Sequence, residues 1–299
     1  MTEHAYPQGI HVPLITPFTA AGDLAREALE GLAHTVLDAG AAGIVALGTT
    51  AEVATLDGEE RRTVVEICLR VCAERGAPLT VGAGSNDTRA SEAALAELGQ
   101  WPGLTAALVT VPSFTRPSQE GVIAHFTRLA AVSPVPLVVY DIPYRTALPL
   151  SAATLRTLGE VPGIVAVKYA NGLIGQDTVE LLGHLPPGFS VMAGDDLFAS
   201  PMLAMGASGG ILASAHLAPR RFASLVDAWR DGDVEQARSL GHALARLSAA
   251  LFREPNPTVI KGVLHERGLI PTPDVRLPLL PAGKATVADA LERLSQLEE

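Results

Sequence analysis

Three lysines occur in the chain, and one of them stands apart. Lys261 falls inside the helical pattern PTVIKGVLHERG and Lys284 in a Pro/Gly loop near the C-terminus, so both read as solvated charges. Lys168 directly follows the apolar run GIVAV, which places it at the end of a buried strand. A charged amine there is costly, and burial favours the neutral form. A neutral amine is a nucleophile that adds to a keto carbon, loses water and leaves a Schiff base. In general a lysine amine reactive near neutral pH lies ~3 units below its reference near 10.4, roughly 4 kcal/mol, within the reach of desolvation. The other reading is a lysine paired with a carboxylate, with Asp195 or Asp196 the candidates.

Schiff-base chemistry also moves protons, because forming and dehydrating the carbinolamine both require them. Tyr140 ends the run PLVVY and is placed to carry them; taken alone it reads sooner as a buried tyrosine whose hydroxyl has some other partner. Thr49 and Thr50 follow Gly48 after GIVAL, where free backbone N–H groups and hydroxyls can hold a carboxylate, although in isolation they read sooner as an ordinary turn. Arg145, in YDIPYRT, offers a fork for a second carboxylate. Gly194-Asp195-Asp196 follows a further apolar run. Metal chemistry lacks visible ligands: there is no H-E-x-x-H, no C-x-x-C and no tight histidine cluster, and His125, His216 and His242 read as helix or loop residues. No G-x-S-x-G elbow appears either.

These residues share one feature, their place after short apolar runs. The runs cover 10–16, 43–48, 78–84, 105–111, 136–142, 163–169, 189–195 and 208–214. They are rich in Val, Ile, Leu and Ala without polar alternation, as parallel strands covered on both faces are. Helical patterns such as 23–40 and 58–76 separate them and end in glycine. Eight such units predict an α/β fold, a (β/α)8 TIM barrel over residues 1–215, in preference to an open doubly wound sheet. No G-x-G-x-x-G follows the first run and no P-loop motif appears, which counts against a nucleotide site. After residue 215 helices are expected at 219–231, 233–251, 256–267 and 284–297, a C-terminal extension (216–299) packed on the barrel as one structural unit.

Composition bounds the partners. The 299 residues are 48% hydrophobic and 18% charged, which predicts a large buried core. A net charge of -10 argues against nucleic acid. No apolar stretch is long enough for a membrane helix, and MTEHAYPQG lacks the basic start and apolar run of a secretory signal, so a soluble cytoplasmic protein is expected. Cys68 and Cys72, four apart in a helical pattern, read as two small buried hydrophobes and not as a disulfide.

The ordered set GTTAE (48–52), RPSQEG (116–121), YDIPYRT (140–146), VKYANG (167–172), GDD (194–196), EPNP (254–257) and RLPLLP (276–281) resembles the dihydrodipicolinate synthase and N-acetylneuraminate lyase family of pyruvate-dependent class I aldolases, nearest its synthase branch. The resemblance runs from about Gly9 to the last helix. It implies that Lys168 forms the imine with pyruvate and that Tyr140 relays protons, linked to the Thr50 hydroxyl. Thr49 and Thr50 are then the ligands of the pyruvate carboxylate and Arg145 that of the carboxylate of the incoming aldehyde, with Gly194 and Ile211 lining the pocket. No metal or organic cofactor is implied, the partners being a small keto acid, an aldehyde and further copies of the chain in a homotetramer or homodimer. Aspartate semialdehyde is the synthase substrate; a 2-keto-3-deoxy sugar acid or hydroxy keto acid is the alternative, and a silent keto-acid-binding relative is disfavoured because Lys168 is retained.

Departures from the motifs bear on that choice. Phe114 stands where the synthase branch has a tyrosine that reaches into the neighbouring subunit's site, and it has no hydroxyl to pass protons. Tyr169 replaces the glutamate after the lysine, and Ala51 the glycine of GTTGE. Ser113 and Gly58 stand where lysine-inhibited members carry tyrosine and histidine, so a lysine-feedback site is not expected.

Overall fold

The computed structural model describes residues 7–298, so residues 1–6 of the N-terminal stretch read for a secretory signal lie outside it. Eight parallel strands form a closed barrel in sequence order. They are β1 (Gly9–Pro13), β2 (Gly43–Ala46), β3 (Leu79–Ala83), β4 (Ala106–Thr110), β5 (Leu137–Asp141), β6 (Ile164–Tyr169), β7 (Ser190–Ala193) and β8 (Gly209–Ile211). The expected TIM barrel is thus present. Each apolar run supplies its strand because both faces of a parallel barrel are covered, so no polar alternation is needed.

Helices α1 (Arg26–Asp38), α2 (Gly58–Arg75), α3 (Thr88–Glu97), α4 (Gln119–Val132), α5 (Pro143–Thr146), α6 (Ala152–Gly159), α7 (Gln176–Gly183) and α8 (Ala199–Ala204) alternate with the strands. Several of these helices have starts fixed by local chemistry. Asp57 and Glu60 make a reciprocal capping box on α2, the Asp57 carboxylate accepting from the Glu60 N–H at 2.8 Å. Ser118 and Ser151 accept N–H groups at the starts of α4 and α6. The end of α2 falls at Gly76, whose φ of 62° suits a residue without Cβ. Cys68 and Cys72 are both free and buried, and burial pushes both thiols up, Cys72 to about 12.

The chain after the barrel is helical as expected: α9 (Pro219–Asp231), α10 (Val234–Leu251), α11 (Thr258–Glu266) and α12 (Lys284–Glu298). Lys284 opens α12 instead of lying in a loop, and it is exposed. The eighth strand is shorter than the apolar run 208–214 suggests. After Ile211 the chain turns through a short 3-10 segment at Ala213–His216, where the His216 ring donates Nδ1–H to the Ala213 carbonyl at 2.7 Å and accepts the Ile15 N–H at Nε2, 3.0 Å. Fully buried, that imidazole is held neutral and its pKa falls to about 4.

Contacts divide the chain into two compact units. Among the described residues one comprises 7–9 and 80–211, the other 10–79 and 212–298. In the second, α10 packs against α9 and α12, and α11 against α12. The last contact is close because α11 presents Gly262 to Val287: a Cβ there would come within 2.6 Å of the valine Cγ2. Among the described residues no helix is long and apolar enough to cross a membrane.

Candidate active site

Strand register sets the first group of residues. Tyr140 on β5, Lys168 on β6 and Met192 on β7 are successive partners, and Gly209 on β8 continues the row. Alternation sends neighbouring residues to opposite faces of a strand. Tyr169 shows which face is which, for its hydroxyl meets Thr178 Oγ1 of α7 at 3.2 Å in the helical layer. Lys168 therefore points the other way, into the barrel. Its Nζ lies 4.2 Å from the centroid of the Tyr140 ring. Lys168 is only 6% exposed and Tyr140 5%. The expectation of a lysine on a buried strand end, beside a tyrosine on the neighbouring one, holds.

Gly194, one residue beyond β7, packs against that lysine. A Cβ at Gly194 would stand 3.0 Å from Lys168 Cγ and 2.8 Å from the Ala170 Cβ, so the strand end is shaped for the lysine stem. Asp195 does not serve as the lysine's ion-pair partner. Its Oδ2 accepts the Gly172 N–H, which ties down the turn after β6. Burial raises the Asp195 pKa, while Gly172 and the charge of Lys168 act against that rise. Ile211 ends β8 and is buried. Arg145 lies in the short helix α5, begun by Pro143, with its guanidinium exposed and 5.7 Å from the Tyr144 ring centroid.

Beside this group the outer face holds an unexpected carboxyl. Asp141, the register partner of Tyr169, is fully buried, and neither carboxyl oxygen has a hydrogen-bond partner of good geometry. Burial pushes its pKa up to about 8, with only the Leu150 backbone N–H opposing. Tyr169 itself is pushed up by burial and reaches no reacting group on the barrel's inner side. Its replacement of glutamate is therefore a change in the layer behind the lysine.

Thr49 and Thr50 belong to the second unit, in the turn Thr49–Ala51 that follows β2. Thr50 is buried and its Oγ1 accepts from Asn256 Nδ2 at 2.9 Å. The turn ends at Glu52, a non-glycine residue with φ of 55°. A left-handed conformation costs on the order of 1 kcal/mol and persists where surrounding contacts impose it. Here Glu52 accepts from Lys261 Nζ through Oε1 and from the Arg276 backbone N–H through Oε2, the latter at 2.8 Å. Lys261 also donates to the Asp274 carbonyl at 2.8 Å, and its Nζ stands 4.1 Å from the Phe18 ring centroid.

The reading of Lys261 as a solvated charge is thereby corrected: the residue is 0% exposed. Burial lowers its pKa to about 8 against the pull of Glu52. A signal for this lay in the sequence, since Lys261 is a lone charge flanked by Val259-Ile260 and Gly262-Val263-Leu264 on both sides. Glu52, Asn256 and Arg276 fall in the motifs GTTAE, EPNP and RLPLLP, but nothing in a linear motif shows that the three converge. Among the described residues no group of three or more histidine, cysteine or acidic side chains is arranged to hold a metal ion.

Comparison with known proteins bears on the family and the fold. The model of the dihydrodipicolinate synthetase family matches residues 6–296. The 4-hydroxy-tetrahydrodipicolinate synthase of Neisseria meningitidis serogroup B is 38% identical over 293 residues, covering 97% of this chain and 99% of that protein. The crystal structure of dihydrodipicolinate synthase from Thermotoga maritima superposes with a TM-score of 0.93 at 28% identity, covering 98% of this chain and 99% of that one. That of the Acinetobacter baumannii enzyme, complexed with pyruvate, gives 0.90 at 34% identity over 96% and 99%. With a TIM barrel, a buried strand-end lysine and these relatives along nearly its whole length, the protein is a class I Schiff-base lyase, and the chain belongs to the dihydrodipicolinate synthetase family.

Proposed function

We propose that the protein condenses pyruvate with aspartate semialdehyde, as a 4-hydroxy-tetrahydrodipicolinate synthase, through an imine at Lys168. The observation that carries the assignment is the buried pair on β5 and β6, with Lys168 Nζ 4.2 Å from the Tyr140 ring centroid. Lys168 adds to the keto carbon of pyruvate, and the carbinolamine expels its hydroxyl as water once a proton is delivered to it. Tyr140 delivers that proton and recovers one afterwards. Loss of a proton from the pyruvate methyl gives the enamine, with the imine nitrogen as electron sink. The enamine carbon then bonds to the aldehyde carbon, the aldehyde oxygen takes up a proton, and attack of the aldehyde substrate's own amine on the imine carbon closes the ring and releases Lys168 as the free amine. No step calls for a metal or an organic cofactor.

Thr49 and Thr50 hold the pyruvate carboxylate, and Arg145 that of the aldehyde. The exposed guanidinium on a Pro-started turn supports this role, because a bidentate fork recognises a carboxylate arriving from solvent. Gly194 and Ile211 complete the pocket wall. Phe114 is 92% exposed with φ of 65°, an apolar ring held out on a left-handed residue of the loop after β4. Such a ring fits a homodimer or homotetramer in which it is covered by another copy. Two free, buried cysteines suit a cytoplasmic location.

Phe114 also favours a second reading, an aldolase for a 2-keto-3-deoxy sugar acid or hydroxy keto acid, because the ring has no hydroxyl to relay protons. A coupled assay decides. Turnover of pyruvate with aspartate semialdehyde, with the aldehyde's KM raised at least about tenfold in Arg145→Ala, is expected. Cleavage of a sugar-derived keto acid with no aspartate semialdehyde turnover contradicts the synthase assignment.

A further inference from the structure

The N-terminal approach to α11 grips both ends of the threonine turn. Asn256 reaches Thr50, and Lys261, in the first turns of the helix, reaches Glu52 two residues further on. A hydroxyl carries one hydrogen and two lone pairs. Having accepted from Asn256 Nδ2, the Thr50 oxygen still has its own hydrogen to donate, and that hydrogen is directed away from Asn256. The orientation of the Asn256 amide follows from what each choice leaves buried. As placed, one carbonyl oxygen, Oδ1, lacks a partner. Reversed, a buried NH2 group would lack one instead, and orphaned donors are rarer than under-satisfied carbonyls.

We propose that Asn256 is a positioning residue that fixes the direction of the Thr50 hydroxyl, committing its hydrogen to the keto-acid carboxylate, while the Lys261–Glu52 pair holds the turn in register. The proposal rests on the reading of Thr50 as a ligand of pyruvate. Nothing in Asn256 touches the reacting atoms; it acts through Thr50. Aspartate at 256 reverses the polarity of the bond, because a carboxylate only accepts and draws the Thr50 hydrogen to itself.

The test measures the pyruvate concentration that half-saturates borohydride trapping on the full-length protein, with KM for each substrate alongside. Thr50→Val is expected to raise the pyruvate value about tenfold and Asn256→Ala about fivefold. Asn256→Asp is expected to raise it more than tenfold, as a charge-assisted bond captures the hydroxyl. The aldehyde's KM stays within about twofold in the Asn256 variants, which a general loss of structure would not spare. In a Thr50→Val background Asn256→Asp adds less than about twofold, because the two act as a unit.

Unchanged pyruvate half-saturation in Asn256→Ala and Asn256→Asp, with Thr50→Val impaired, overturns the proposal and leaves the Thr50 reading standing. A full additional effect of Asn256→Asp in the Thr50→Val background also overturns it, since the new charge then acts through space. Normal half-saturation in Thr50→Val removes the Thr50 reading itself. Should Asn256→Asp fail to fold, Asn256→Ala decides alone.

Discussion

Asp141 and Lys168 sit within one strand pairing of each other and face opposite sides of the barrel wall, one an acid and one a base, both out of water. For Asp141 the consequence is a pH-dependent cost. The unfolded chain releases this proton near 3.9, whereas the folded protein keeps it to about 8. Between those values the unfolded state is the more ionised, so each unit of rising pH removes at most about 1.4 kcal/mol of stability. The amide isostere in Asp141→Asn removes the titration. Its gain in Tm over the parent is expected to be smallest at pH 4 and to grow up to pH 8; an equal gain at both ends of that range contradicts a buried neutral acid. Gly194 makes a second test at this scale. Gly194→Ala drives a methyl against the Lys168 stem and the Ala170 Cβ, and is expected to slow imine formation by about tenfold to a hundredfold, read as the rate of pyruvate-dependent trapping. A rate within twofold of the parent shows that the stem has room to move.

At the scale of elements, the turn after β2 is held by one buried ion pair. Lys261 and Glu52 are both out of water, and each is satisfied further by backbone groups, the Asp274 carbonyl and the Arg276 N–H. Removing one charge of such a pair leaves the other uncompensated and costs about 3–5 kcal/mol. Lys261→Met is expected to destabilise by that amount in denaturant unfolding, and adding Glu52→Gln to recover a large part of it. No recovery in the double variant shows that packing against Phe18, and not charge, explains the loss. This is also where reading the sequence falls short. Helix starts are local: Asp57 caps Glu60 three residues on, and α2 begins where the sequence pattern begins. The place of Lys261 is not local, because its partner lies 209 residues away. A helical period gives the face of a charge, not what packs over it. Tyr169 is the converse case. Its distance from the chemistry was readable from strand alternation alone, since residues 168 and 169 must point to opposite sides.

Across the whole molecule, the eightfold rhythm of apolar runs separated by amphipathic helices made the barrel legible, because parallel strands covered on both faces need no partner sequence to be recognised. Lys168 was legible for the same reason, as a lysine with a buried strand behind it. The division into two units was not, for it joins β1 and β2 to the C-terminal helices across more than half the chain. The choice of aldehyde was not legible either, depending as it does on side chains such as Arg145 and Phe114 that reach out from loops. The central claim is the imine, and one experiment meets it directly. The protein is incubated with pyruvate and borohydride, digested and sequenced by mass spectrometry. A single reduced pyruvate adduct on Lys168, absent without pyruvate and absent in Lys168→Ala, is the expected result; an adduct on Lys261 or Lys284, or none at all, contradicts it.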